Sequence, residues 1–173
     1  MLLPIEGLSS KLADQERAAL LAALRYLDAA LGHPTAPAAR ILALICILRA
    51  DATGTARLSR GLLRALRLAH HSDLLLAVLT DQRWLHVVVE PSGQRPGPTR
   101  GGVPVRIADL RGGVALPGTT RSARRHLLDR TVRLLTHPRL RATDEATRLA
   151  ALHPAADPGR TALHHTCSLE RPP

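Results

Sequence analysis

A chain of 173 residues is long enough for one domain with a sizeable core. Hydrophobic residues make up 45% of it, yet there is no Phe, one Tyr and one Trp, so the core has to come from Leu, Ala, Val and Ile, a mixture that favours helix over strand. The formal charge is +10, carried by 23 arginines and the single Lys11. Residues 1–52 hold five basic and five acidic residues, residues 53–141 hold 16 arginines against five acids (net +11), and residues 142–173 hold three against four (net −1). A basic centre of this kind suits a polyanionic partner or a solvated face. Two cysteines, Cys46 and Cys167, exclude a disulfide framework. The opening run Met1–Leu8 is short and carries Glu6, so no signal peptide is expected. The longest apolar run, Ile41–Leu48, is far below a membrane span. A reducing, cytoplasmic interior is the expected compartment.

The first predicted element is an amphipathic helix from about Ser10 to Leu31. Leu20, Leu24, Leu27 and Leu31 recur at helical spacing, Leu21 widens the stripe, and Ser9 or Ser10 serves as cap. Gly32 and His33-Pro34 stop it. Pro37 then opens a second helix in which Ile41, Leu44, Ile45 and Leu48 fall on one side, ended by Asp51-Ala52-Thr53-Gly54. Thr55–Leu58 reads as a short isolated strand. Ser59 caps a third helix, Arg60 to about Ala69, with Leu62, Ala65, Leu66 and Ala69 on one side and Arg60, Arg64 and Arg67 in one narrow arc on the other. After a break at His70-His71-Ser72, Ser72 is expected to cap a fourth helix reaching Trp84 or Leu85.

Helical character stops there. His86–Val89 is β-branched and reads as a strand, Pro91–Gly102 as a loop, and Val103, Val105 and Ile107 alternate as a half-buried strand should. Further turns are expected at Gly112-Gly113 and Pro117-Gly118. A fifth helix covers about Ser122 to Thr136, with Leu127, Leu128, Val132 and Leu135 on one face and His126, Arg130, Arg133 and His137 on the other. Thr143 is the expected cap of a last short helix to about Leu152, and a loose tail follows from Pro154.

The central order is helix, short strand, helix, tight break, helix, strand, loop, strand. It resembles the winged helix-turn-helix family of DNA-binding domains: Ala38–Arg49 matches the first helix, Ser59–Ala69 and Asp73–Leu85 the two-helix unit, and His86–Asp109 the wing. The fold class implied is mostly α with a small β-hairpin, a winged helix-turn-helix with extra N- and C-terminal helices. Residues 1–36 form the N-terminal helix, 37–112 the winged domain, 113–153 the C-terminal helices and 154–173 a flexible tail. In such domains the second helix of the unit enters the major groove and the wing loop touches backbone or minor groove. The resemblance therefore implies phosphate contacts from Arg60, Arg64 and Arg67 and groove contacts from Ser72, Leu76, Thr80 and Arg83. Arg95 and Arg100 would sit at the wing tip. The recognition helix departs from the family in being poor in polar residues, with Asp73 and Asp81 nearby.

The implied function is DNA binding, in transcriptional regulation or as an accessory factor of replication or plasmid maintenance, associated with the nucleoid. A protein-interaction adaptor using the apolar fourth helix is the competing expectation. An RNA binder is disfavoured by the near absence of stacking aromatics. His70-His71 read as turn residues, and His164-His165 with Cys167 lacks a second pair at zinc spacing. No nucleophile motif or phosphate-binding glycine loop is present, so no enzyme, metal or cofactor is expected. The wide leucine stripe of the first helix, joined by Leu127–Leu135, is expected to make a homodimer on palindromic DNA.

Overall fold

Residues 37–49 dictate the architecture. In the computed structural model, which describes residues 12–32, 35–88, 102–108 and 119–156, Pro37–Arg49 forms a helix (α2) with Pro37 in its first turn. From Ile41 to Leu48 eight successive side chains are at most 2% exposed. A helix apolar on every side has to be covered on every side. Helix α1 (Asp14–Ala30) covers one flank. Helices α4 (Ser72–Asp81), α5 (Arg121–Leu135) and α7 (Glu145–Ala150) cover others, with strands β1 (Thr55–Leu58) and β3 (Val103–Ile107). Burial pushes the Cys46 thiol up to about 12 despite Arg49 nearby, so it stays protonated and behaves as a small apolar group.

The remaining described elements are helix α3 (Arg60–Ala65), strand β2 (Leu85–Val87) and the short helices α6 (Pro138–Arg141) and α8 (Leu152–Ala156). The fold is mostly helical with one three-stranded antiparallel sheet of order β1-β3-β2. The strand expected to stand alone is thus an edge of the hairpin's sheet, with Ala56 opposite Val105 and Leu58 opposite Val103. Gly102 makes that closure possible: at φ 78° it lies so close to β1 that a Cβ would come 2.5 Å from the Leu58 carbonyl oxygen. Residues 89–101, with Arg95 and Arg100, lie outside the described residues, as do Ser9, Ser10, the turns at 112–113 and 117–118, and the His164–Cys167 cluster.

Several boundaries differ from the sequence expectation. Helix α3 ends at Ala65 rather than near Ala69, and its buried residue is Leu63, whereas Leu62 is half-buried and Ala65 exposed. The cap of α4 is His71, without a side-chain bond; Ser72 is inside the helix and its Oγ donates to the Ala69 carbonyl at 3.2 Å. Asp144, not Thr143, caps α7, its Oδ1 accepting from the Thr147 N–H at 2.7 Å. Residues 152–156, assigned to the end of a helix and a loose tail, form α8, whose Leu152, Ala155 and Ala156 are buried against the common core.

The expected dimer face is also corrected. Leu20, Leu24, Leu27 and Leu31 are each at most 3% exposed within their own chain, covered by α2, α5 and α8. Arg130 of α5 reinforces the joint by donating to Glu16 of α1 at 2.8 Å. Partial burial raises the Glu16 pKa, but the Arg130 and Ala13 hydrogen bonds outweigh it and the net shift is downward. A leucine stripe already satisfied offers nothing to a second copy. Leu24→Asp is therefore expected to destroy the fold rather than release a monomer. An unpaired carboxylate in that core costs several kcal/mol, a large share of the roughly 5–15 kcal/mol that holds a domain together. Circular dichroism should show no cooperative melt; a folded Leu24→Asp protein would contradict the packing.

The turn between α2 and β1 hangs on one carboxylate. Asp51 Oδ1 accepts from the Thr53 N–H at 2.8 Å, the Thr53 hydroxyl at 2.6 Å and the Thr55 N–H at 3.0 Å. These bonds, the Thr53 hydroxyl foremost, hold its pKa below the ordinary 3.8, with slight burial opposing and Arg106 assisting. A depressed folded pKa means stabilisation that is present above the unfolded value and lost as pH falls through the folded one. Denaturant unfolding at pH 5 should show Asp51→Asn less stable, on the order of 0.5–1 kcal/mol because the group is exposed. The gap to wild type should narrow below pH 3; a gap that persists there would contradict the assignment.

Candidate nucleic-acid interface

The α3–α4 unit is built by two identical helix endings. Ser59 starts α3, its Oγ accepting from the Leu62 N–H at 3.3 Å. The helix stops because Arg67 turns left-handed at φ 60°: the Arg67 N–H bonds the Arg64 carbonyl at 3.0 Å and the Leu68 N–H bonds the Leu63 carbonyl at 2.8 Å. Helix α4 ends the same way at Arg83, φ 55°, with Arg83 N–H to Thr80 O at 2.8 Å and Trp84 N–H to Leu79 O at 3.0 Å. This is the Schellman arrangement, in which glycine is the usual left-handed residue. Its apolar clasp is present in both copies, as Leu63 with Leu68 and Leu79 with Trp84, all buried.

Those endings relocate the predicted site residues. Arg60 and Arg64 stay one turn apart on the exposed side of α3. Arg67 leaves the arc, and its Nη1 donates to the Arg141 carbonyl at 2.5 Å. On α4 the expected outward line Ser72, Leu76, Thr80 is turned partly inward. Leu76 is buried at 8% exposure, Ser72 and Thr80 are half-buried, and the Thr80 hydroxyl donates to the Leu76 carbonyl at 2.8 Å. The face that reaches solvent is the next line along, Asp73, Ala77 and Asp81, with Leu74 at 65% exposure beside it. Arg83 is exposed at the end of the helix.

Two groupings of basic residues were not foreseen from the sequence, although Arg64, Arg67, His70 and His71 of the second were named there in other roles. The outer face of the sheet carries Arg57, His86 and Arg106, all exposed; His86 and Thr55 both pair with Arg106 across the strands. Strand alternation could have found them, since Ala56, Leu58, Val105 and Ile107 point the other way into the core. The second group surrounds a cleft of about 570 Å³ between the α3–α4 turn and the α6–α7 turn, lined by Arg64, Arg67, His70, His71 and Arg148. Asp144 and Glu145 stand on its C-terminal wall. Arg148 is 2% exposed, its Nε donating to the Leu135 carbonyl at 3.2 Å and its Nη2 to the Leu66 carbonyl at 2.9 Å. Nothing in the sequence marks a buried arginine in a six-residue helix.

The chain matches no family model, and no similar curated protein or solved structure was found. No helix among the described residues is long and apolar enough to cross a membrane.

The left-handed arginines make a testable claim. A non-glycine residue at φ 55° carries about 1 kcal/mol of backbone strain, offset in part by the greater unfolded-state freedom of glycine. Arg83→Gly should therefore raise stability by about 0.5–1 kcal/mol, read as a higher denaturant midpoint at unchanged slope. A lower midpoint would mean that α4 does not end as described.

Proposed function

We propose that the protein is a winged helix-turn-helix DNA-binding protein that holds duplex chiefly through its phosphates. The observation that carries this reading is the way the sheet closes around the two-helix unit. Helices α3 and α4 are inserted between β1 and β2, and both of those strands pair with β3. A presented helix and a hairpin are thereby tied into one rigid piece, which is what simultaneous groove and wing contacts need. Arg60 and Arg64 on α3 and Arg83 at the end of α4 are exposed cations within that piece. Guanidinium groups bind phosphate oxygens well and carry no sequence information when they do. Arg95 and Arg100 keep the proposed role of wing-tip contacts.

The outward face of α4 limits how sequence is read. Asp73 and Asp81 repel phosphates and can accept only from the amino groups of cytosine or adenine, while Leu74 and Ala77 offer apolar contact to thymine methyls. Preference among sequences then comes mainly from shape and deformability. With roughly five phosphates engaged, the slope of log affinity against log salt should be on the order of −5, and Arg60→Ala should reduce it by about 1. A fluorescence titration of duplex at several salt concentrations measures both. Absence of binding at low salt would sink the reading.

One observation favours a second reading, an adaptor role in which α4 docks a protein. Leu74 is a large apolar side chain left in solvent on the helix that a partner would meet. The two readings separate on one substitution pair. Under DNA binding, Asp73→Asn with Asp81→Asn strengthens duplex affinity; under docking it leaves duplex unbound, and Leu74→Ser abolishes the partner's binding.

A further inference from the structure

The cleft between the α3–α4 and α6–α7 turns contains a cation without a matching acid. The side chain of Arg148 is almost wholly buried, and its two hydrogen bonds go to carbonyls at the ends of α3 and α5, whose helix dipoles offset its charge only in part. Among the described residues no carboxylate lies within ion-pair distance of it. Asp144 uses Oδ1 to cap α7, and Glu145 acts on Arg148 only through space. Burial pulls the Arg148 pKa down, Glu145 offsets part of that, and Arg67 adds to it by like-charge repulsion. A buried charge without a carboxylate partner is expensive, and the neighbouring Arg67 makes it more so.

The geometry keeps those charges together instead of letting them splay. Arg67 is held in a left-handed conformation and tied by Nη1 to the Arg141 carbonyl across the cleft. Arg148 Nη1 has no acceptor among the described residues, and its side chain lines the cleft. Arg64 and the imidazoles of His70 and His71 complete a wall of hydrogen-bond donors. The cleft, about 570 Å³ and half open to solvent, is far larger than a single ion.

We propose that this cleft binds a small phosphomonoester bearing hydroxyl groups, its phosphate on Arg148, Arg67 and Arg64 and its hydroxyls toward Asp144 and Glu145. The three guanidiniums supply the fork geometry that phosphate oxygens accept. The carboxylates opposite accept from hydroxyls and disfavour a ligand that is charged at both ends. The site shares Arg64 with the proposed duplex surface but is distinguished from it by Arg148 and Arg60. Arg60 is exposed and does not line the cleft, whereas the nearly buried Arg148 does. The proposal does not depend on DNA binding. A ligand there bridges the two-helix unit and the C-terminal helices, so it stabilises the whole fold.

The test is thermal unfolding of the full chain with ribose 5-phosphate, with ribose, and with inorganic phosphate, at constant ionic strength. Ribose 5-phosphate should raise Tm saturably, by about 5–10 °C at a hundredfold excess over its Kd. Phosphate alone should act more weakly and ribose not at all. Arg64→Ala, an exposed substitution that leaves the fold intact, should weaken binding about tenfold, the usual loss of one charge-assisted bond. Arg148→Met should abolish the shift; should it fail to fold, the Arg64→Ala titration decides alone. Absence of a saturable shift, or an equal shift in Arg64→Ala, overturns the proposal. Ribose 5-phosphate binding that is lost in Arg60→Ala and displaced one-for-one by duplex also overturns it, because the phosphate site is then the duplex interface.

Discussion

Everything in this fold answers to a helix that has no polar side. Once Ile41–Leu48 is withdrawn from water over its full circumference, the chain must supply covers in every direction, and no single neighbour is enough. Helix α1 comes from before it, the sheet and α4 from just after it, and α5 and α7 from the far end of the chain. The core is correspondingly one body, running without a break from Leu12 to Ala156. The N-terminal and C-terminal helices are therefore structural halves of the same shell and not appendages to a central domain. Removing the leucines of either would expose α2, which is why neither is available for assembly.

The arginine content reads differently once its bonds are known. Arg40 donates to the Leu31 and Gly32 carbonyls at the end of α1, and Arg124 to Ala50 at the end of α2. Arg148 donates to Leu66 and Leu135 at the ends of α3 and α5, and Arg67 to Arg141 at the end of α6. Each of these acceptors lies in the last turn of a helix or just past it, where carbonyls lack an intrahelical partner and the helix dipole favours a cation. Part of the positive charge, including Arg67 and Arg124 of the basic centre, is thus internal mortar. A chain without Phe, and with glycine at neither left-handed helix ending, closes its helix ends with guanidinium groups instead. The excess left for a polyanion is smaller than the count of arginines suggests, and it is spread over α3, the outer face of the sheet and the exposed Arg121, Arg125, Arg133, Arg139 and Arg141 of α5 and α6.

This also explains what could be read from residues alone. The existence and order of the long helices followed from leucine spacing, and Ser59 announced its helix by type and position. The order of the α3–α4 pair was legible for the same reason, and the two hairpin strands from β-branched residues and period-two alternation. The end of α3 was not, because the usual signal of a left-handed terminator is glycine and here it is Arg67. That early stop rotates everything after it: α4 starts from His71, its buried line is Leu75, Leu76 and Leu79, and the solvent line becomes Asp73, Ala77 and Asp81. A shift of one position on a helix is about 100°, enough to exchange a reading face for a packing face. The cleft was invisible for a different reason. Its two walls are separated by some seventy residues, and Arg148 carries no local pattern at all.

The outward face of α4 bears most directly on what the domain can do. A helix meant to read bases against a polyanion ordinarily carries amides and guanidiniums, and this one presents two carboxylates around an exposed leucine. Among the described residues neither aspartate has a structural bond to explain it. Asp73 stands in the first turn of α4, where its charge complements the helix dipole, but Asp81 stands in the last turn, where the dipole opposes it. A carboxylate kept at the unfavourable end of a helix, next to the exposed Arg83, makes the tip of α4 nearly neutral. The attractive field then comes from the flanks, from Arg60 and Arg64 on one side and from Arg57 and Arg106 on the other. Under the proposed function, such a distribution would grip a backbone on both sides of a groove while leaving the centre to steric fit, and it would discriminate by groove width before it discriminates by base.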